Sequence, residues 1–134
     1  MILTIDLNTE VPIYQQLRDQ IVRAIAAGEL RQGDSLPATR QLGADLGVNF
    51  HTVNKAYDLL RREGLLRLHR KTGAVVARGP GSGPPPPDFY PEWEGRLRVL
   101  LAEAVARGVP AAEVLSRCEA QLRSLTDIEE REHT

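Results

Sequence analysis

The chain has 134 residues, which excludes a barrel enzyme of roughly 250 residues and a dinucleotide-binding enzyme with a separate substrate domain. Hydrophobic residues make up 42% of the chain and charged residues 26%, a globular composition that excludes wholesale disorder. The net charge of −1 is unevenly distributed, with a cationic excess in residues 11–79 and an anionic excess in residues 80–134. This asymmetry predicts that the first block meets a polyanion and that the second has another role.

The first block carries the apolar spacing of three short helices. Pro12 suits the first position of a helix, and apolar residues recur every four positions after it, which predicts a helix with one buried stripe that ends near Gly28. We expect a second helix between Pro37 and Gly47. Asn49 is a good N-cap for a third helix, whose inward positions follow the helical period. The predicted inward residues are Ile13, Leu17, Ile21 and Ile25 of the first helix and Val53, Ala56, Tyr57 and Leu60 of the third.

A short hairpin follows the third helix, because residues 66–69 alternate, residues 70–73 form a tip and residues 74–77 return. Three helices and a hairpin, with a sharp glycine turn at Gly47, predict a winged helix-turn-helix. In that fold Gly43 keeps the second helix thin where the third helix crosses it. The alternative is an ordinary three-helix bundle with an unrelated surface hairpin.

Polar and cationic side chains crowd the N-terminal half of the third helix and the hairpin. In a helix-turn-helix this end of the helix enters the major groove of DNA, where the helix dipole also favours phosphate. We therefore predict DNA contacts from both elements. The predicted contacts are Asn49, His51, Thr52, Asn54 and Lys55 on the helix, with Arg67, Arg70 and Lys71 beside the DNA backbone on the wing.

Residues 10–78 contain several short motifs at characteristic distances from one another. They are PIYQQL at 12–17, GEL at 28–30, GDSLP at 33–37, Arg40, LGV at 46–48 and EGL at 63–65. With these motifs, this stretch resembles the N-terminal domain of GntR-type bacterial transcription regulators. The run from Val48 to Tyr57 is similar to the subgroup named after YtrA, whose members are typically dimeric repressors.

The resemblance implies further DNA contacts. Arg40 would reach a phosphate or a guanine edge, and Thr72 and Gly73 would touch the minor groove or its phosphates. It also implies that Asn49, His51, Thr52 and Asn54 lie in the major groove or at its rim.

Three positions depart from the family pattern. Many members have serine where Ala38 stands, so the second helix lacks a side-chain cap. Many also have a basic or hydroxyl residue where Asn54 stands, and arginine where Phe50 stands. Phe50 is then either a contact to a thymine methyl group or a partly buried packing residue.

A glycine- and proline-rich stretch, residues 79–88, follows the first block and contains no core-forming residue. Its glycines give freedom and its consecutive prolines favour a stiff polyproline conformation. We predict that it is a linker between a DNA-binding domain at 1–78 and a dimerisation region at 89–134. The alternative is a proline-rich ligand for a partner domain.

The second block predicts two helices, about residues 90–107 and about residues 111–125. A pair this short buries too little apolar surface to be stable alone, so we predict that it pairs with a second copy in a four-helix dimer interface. The alternative is that both helices fold back on their own winged domain. The predicted interface residues are Trp93, Leu97, Leu100, Leu101, Leu115 and Leu122.

No constellation typical of an enzyme occurs in the sequence, such as a nucleophile elbow or a phosphate-binding glycine loop. The single cysteine, Cys118, excludes a multi-thiolate zinc site, and its apolar neighbours favour a buried thiol over a redox sensor. We expect no metal and no cofactor. No apolar run approaches the ~18 residues of a membrane span and no secretory signal layout occurs, which predicts a cytoplasmic protein.

The sequence therefore predicts a DNA-binding transcription regulator, a dimeric repressor that reads an inverted-repeat operator through two copies of residues 49–55. Two alternatives stay open. The first is a regulator that responds to a small effector bound at the dimer interface, the identity of the effector being unknown. The second is a winged-helix interaction adaptor that does not bind DNA.

Overall fold

The computed structural model describes residues 1–70 and 73–132, with side chains described at the C-terminal end as far as Thr126. Within these residues the chain forms three helices, an antiparallel hairpin and two further helices. The helices are α1 (Ile13–Ala26), α2 (Thr39–Leu46), α3 (Phe50–Arg62), α4 (Phe89–Ala106) and α5 (Ala111–Glu132), and the strands are β1 (Leu66–His69) and β2 (Gly73–Val76). This mainly helical fold confirms the predicted winged helix-turn-helix followed by two helices.

The core lies between α1, α3 and the hairpin, and the apolar residues predicted to face inward do so. Those buried are Leu17, Ile21, Ile25, Val53, Ala56, Tyr57 and Leu60, with Ile13 packed partly buried against them. Burying aliphatic and aromatic side chains of this size stabilises a fold by about 1.5–3 kcal/mol each. The helix α1 begins at Ile13, one residue later than predicted, because Pro12 keeps an extended backbone with ψ of 147° and precedes the helix as its cap.

The turn between α2 and α3 determines how closely the two helices approach. Gly47 ends α2 in the left-handed conformation with φ of 71°, which glycine adopts without strain. A Cβ atom on Gly43 would lie 2.9 Å from the carbonyl oxygen of Val48, so a side chain there would force the turn apart. Asn49 caps α3, since its Oδ1 accepts the backbone N–H of His51 at 2.9 Å. These contacts confirm the structural roles predicted for Gly43, Gly47 and Asn49.

The wing contains the predicted hairpin and one additional edge. The strands β1 and β2 pair antiparallel, with Leu66 opposite Val76. The segment that leads into α2 joins the other side of β2, where the N–H of Leu36 donates to the carbonyl of Ala74 at 2.9 Å. Residues 33–37 have the composition of a turn and show no alternation of apolar and polar residues. The sequence therefore did not predict that this segment pairs with β2. The pairing attaches the wing to the start of α2.

Residues 3–6 run extended along α1 and are held there by two glutamine side chains. Gln20 donates through Nε2 to the carbonyl of Thr4 at 2.7 Å and accepts the N–H of Thr4 through Oε1 at 3.0 Å. Gln16 makes the same pair of hydrogen bonds with Asp6, at 3.0 and 2.9 Å. Residues four apart in a helix and two apart in an extended chain both repeat at about 6–7 Å, so the two amides act as a neighbouring strand would. No pattern in the sequence predicted this attachment.

The helices α4 and α5 contact each other, and the end of α5 approaches α1. The bounds of α4 agree with the prediction to within one residue. The helix α5 extends beyond the predicted end at Leu125 to Glu132, because no glycine or proline follows that would end it. The predicted linker begins with a single 3₁₀ turn, Pro80–Ser82, whose Ser82 hydroxyl donates to Oε1 of Gln32 at 2.9 Å. None of the described helices has the length and apolar character needed to cross a membrane.

Candidate nucleic-acid interface

The residues predicted to contact DNA lie on the first turn of α2, on the N-terminal half of α3 and on the wing. The exposed ones are Arg40, Asn49, His51, Asn54, Lys55, Arg67 and Arg70. The half-buried ones are Phe50, Thr52 and Gly73. Lys71 and Thr72 lie outside the described residues. The contacts of all these residues with DNA stay predictions, and most of the described side chains among them are exposed to solvent.

One aromatic ring joins the starts of α2 and α3. The guanidinium carbon Cζ of Arg40 lies 4.0 Å from the centroid of the Phe50 ring, which is a cation–π contact. The ring of His51 lies 4.1 Å from the same ring, tilted by 34°. Phe50 is half-buried, and both roles predicted for it, a packing residue or a contact with a thymine methyl group, stay predictions.

A second cation–π contact joins α3 to α1. The ammonium nitrogen Nζ of Lys55 lies 4.1 Å from the centroid of the Tyr14 ring. Tyr14 is half-buried and packs against the core. No pattern in the sequence predicted that the same ring also holds a cation of α3.

Around the C-terminal end of α3, cations are paired with carboxylates. Asp58 accepts a hydrogen bond from Nη2 of Arg61 at 2.7 Å and lies 3.2 Å from Nε of Arg62. The hydrogen bond from Arg61 is the main reason that the pKa of Asp58 is below its ordinary value. Arg18 of α1 donates through Nε to Glu63 at 3.0 Å, and its hydrogen bonding to Glu63 is the main cause that raises the pKa of Arg18. The field of these cations is therefore compensated locally.

Cations without a carboxylate partner lie on the first turn of α2, on the N-terminal half of α3 and on the wing. Among the residues that the structure describes, no carboxylate forms an ion pair with Arg40, Lys55, Arg67 or Arg70. The N-terminus of α3 adds the positive end of a helix dipole. Uncompensated cations beside amide and hydroxyl groups suit phosphate oxygens and the edges of bases.

Tyr57 holds the segment that leads into α2. Its hydroxyl donates to the carbonyl of Pro37 at 2.7 Å, and burial raises the pKa of the phenol above its ordinary value. Because Pro37 lies immediately before the cap of α2, this hydrogen bond fixes the start of the helix that carries Arg40. The spacing of Tyr57 predicted packing alone. An inward tyrosine also needs a partner for its hydroxyl, and this requirement is the signal that could have indicated the hydrogen bond.

The described part of the chain offers no cluster of side chains suited to a metal ion, and its one prominent crevice is small. Among those residues, no group of three or more His, Cys, Asp or Glu side chains is arranged to hold a metal ion. Cys118 is a half-buried free thiol. A crevice between Ile2, α1 and Leu125 has a volume of about 240 Å³, below the ~300–1,000 Å³ that is usual for small-molecule sites.

Comparison with protein families and curated proteins gives two findings. The family described as bacterial regulatory proteins, gntR family, matches residues 13–76. The HTH-type transcriptional repressor YtrA of Bacillus subtilis (strain 168) is 36% identical over 73 residues, which is 54% of this chain. This match spans 56% of the length of that repressor. A separate match, to a longer relative, spans 16% of the length of that relative.

Two solved structures extend the comparison. The first is YtrA from Sulfolobus acidocaldarius, described as a GntR-family transcription factor, with 42% identity and a TM-score of 0.61. The superposition covers 79% of this chain and 99% of that one. The second is the DNA-binding domain of AraR in complex with operator ORX1, with 29% identity, a TM-score of 0.50, and coverage of 57% of this chain and 95% of that one.

Proposed function

We propose, since this chain belongs to the GntR family of regulatory proteins, that it is a transcription regulator that reads duplex DNA with the first half of α3. The observation that carries the proposal is the division of the cations. Those around the C-terminal end of α3 are paired with carboxylates, whereas Arg40 and Lys55 at the other end have no carboxylate partner among the described residues. Unpaired cations supply affinity for phosphate, and neighbouring amides such as that of Asn54 supply base recognition.

The proposal includes a dimer formed through α4 and α5. Trp93 is 42% exposed, and Leu100, Leu115 and Leu122 are each 62% exposed, while Leu97 and Leu101 are half-buried. So many exposed apolar side chains on a pair of helices indicate a surface that contacts another protein chain. A second copy of the same pair would cover them in a four-helix arrangement, and two copies of α3 would then read an inverted repeat. Repression is the proposed output, because the Bacillus relative is named a repressor.

Selection of duplexes from a random-sequence pool by the full chain tests this function. We expect the enriched duplexes to contain an inverted repeat, and their affinity to fall steeply as salt concentration rises. Replacing Thr52 or Asn54 with Ala should relax base preference and cost about 1–3 kcal/mol of binding free energy if a base edge is read. A winged-helix adaptor would enrich no duplex, and that result would overturn the proposal.

A matched pair of arginine variants separates phosphate contact from general charge. Arg40→Ala and Arg61→Ala remove the same charge, but Arg61 is already paired with Asp58. The measured quantity is the slope of log affinity against log salt concentration. We expect Arg40→Ala to reduce this slope by about one unit, the value for one phosphate contact, and Arg61→Ala to leave it nearly unchanged. Equal effects of the two variants would show that Arg40 acts at long range and not by contact.

A further inference from the structure

We infer that Phe50 positions Arg40 for contact with DNA, by holding the guanidinium over its ring before the duplex arrives. The inference rests on the proposed function and deepens it, since it names a residue that acts on DNA through another. Arg40 belongs to the first turn of α2 and Phe50 is the first residue of α3. Cζ of Arg40 lies 4.0 Å from the ring centroid, well inside the ~6 Å range of a cation–π contact.

The ring is held by a turn that has little freedom to move. A Cβ atom on Gly43 would lie 3.2 Å from the Cα of Phe50, so the backbone of α2 and the start of α3 are in close contact there. Phe50 is itself half-buried, and the ring of His51 lies against it at 4.1 Å. The backbone that carries the ring is thus closely packed, while the arginine that rests on the ring is exposed.

A positioned arginine binds more tightly than a free one for an entropic reason. A long side chain loses torsional freedom when it binds, and a guanidinium that already rests on a ring has lost part of that freedom beforehand. Resting over a ring leaves the N–H donors at the rim of the guanidinium available for two acceptors of a phosphate or a guanine. Among the described residues no carboxylate competes for Arg40.

The contact between Phe50 and Arg40 is testable in the free full-length chain by NMR. A guanidinium above an aromatic ring feels its ring current, so we expect the side-chain resonances of Arg40 to lie upfield of their positions in Phe50→Leu. Phe50→Tyr keeps the ring and should keep the shift. Identical Arg40 resonances in the wild-type chain and Phe50→Leu would overturn the inference without any DNA experiment.

The effect on binding is tested with a duplex selected from a random pool by the wild-type chain. We expect Phe50→Leu to weaken binding about twofold to fivefold, Phe50→Tyr to restore it, and the salt dependence to stay unchanged. The loss should vanish when Arg40 is Ala and persist when Arg61, the paired control, is Ala.

Three further outcomes, all from the DNA experiments, would overturn the inference. A loss of equal size with and without Arg40 would mean that the ring itself contacts DNA. No loss in either background would mean that Phe50 only fills space. A wild-type chain that shows the ring-current shift but selects no duplex would overturn the proposed function, and the inference with it, although the contact between the two side chains would stand.

Discussion

At the scale of single residues, one hydroxyl group connects the core with the candidate interface. The ring of Tyr57 is buried in the core, and its hydroxyl donates to the carbonyl of Pro37 at 2.7 Å. A hydrogen bond of this kind contributes about 0.5–1.5 kcal/mol net to stability. Because Pro37 leads directly into α2, the same bond also holds the helix that carries Arg40.

Replacing Tyr57 with Phe removes this hydroxyl and keeps the ring. We expect the free energy of unfolding to fall by about 1 kcal/mol, since the Pro37 carbonyl loses its donor, and we expect affinity for the selected duplex to fall as the start of α2 loosens. Chemical denaturation and duplex titration measure the two effects. Tyr14→Phe is the matched control, because the Tyr14 hydroxyl has no hydrogen bond among the described residues. Equal losses in both variants would contradict the role given to the Tyr57 hydroxyl.

At the scale of elements, the N-terminal segment is an extended chain attached to α1 by side chains. Leu3 and Ile5 pack partly buried against the core, while Gln16 and Gln20 hydrogen-bond the backbone of the residues between and beside them. The apolar side chains supply the burial, and the glutamines satisfy backbone groups that have no neighbouring strand. We expect both contributions to be needed to keep this segment in place.

Changing Gln16 and Gln20 together to Ala should release this segment while α1 stays folded. We expect the amide hydrogens of Thr4 and Asp6 to lose their protection from exchange, because their acceptors are gone. Hydrogen exchange followed by NMR measures this directly. Gln15→Ala is the control, since Gln15 bonds Asp19 within α1 at 2.8 Å. Protection that survives in the double variant would show that apolar packing alone holds the segment.

The winged elements followed from the sequence because their signals are local. Gly47 and Asn49 mark element ends through the requirements of single residues, and the 3.6-residue period marks the buried faces. The contact between Arg40 and Phe50 could not be predicted from the sequence, because the two residues belong to different helices and meet only once the turn has formed. The predicted end of α5, at the last position of its apolar stripe, was too early, since no glycine or proline beyond Leu125 ends the helix.

At the scale of the whole molecule, the connection between the winged elements and the helical pair is anchored where it begins. Ser82 donates to Gln32 at 2.9 Å, and Arg78 donates through Nη2 to the carbonyl of Gly83 at 2.5 Å. The prolines at 84–87 follow immediately and favour a stiff, extended conformation. In the proposed dimer, an anchored and stiff connection would limit the distance between the two copies of α3. It would therefore also limit the spacing of the two DNA half-sites that they can contact.

Breaking the proposed dimer should weaken DNA binding without unfolding the winged elements. Leu100 and Leu122 are each 62% exposed, so a single chain tolerates a charge there, whereas a dimer interface would bury it at high cost. We expect the variant Leu100→Glu with Leu122→Glu to sediment as a monomer and to keep its helical circular dichroism. Its affinity for the inverted repeat should fall by up to about 10²–10⁴-fold, because the second half-site contact is no longer intramolecular.

A charge-matched variant separates this effect from simple repulsion between the protein and DNA. Ser116→Glu with Gln121→Glu adds the same charge at exposed polar positions of α5 and removes no apolar surface. Long-range repulsion would weaken DNA binding similarly in both variants, whereas loss of the dimer would occur in the leucine variant alone. We therefore expect the control to sediment as a dimer and to bind nearly as tightly as the wild-type chain. If the leucine variant still sediments as a dimer, or binds the inverted repeat as a monomer with undiminished affinity, the interface through α4 and α5 is wrong.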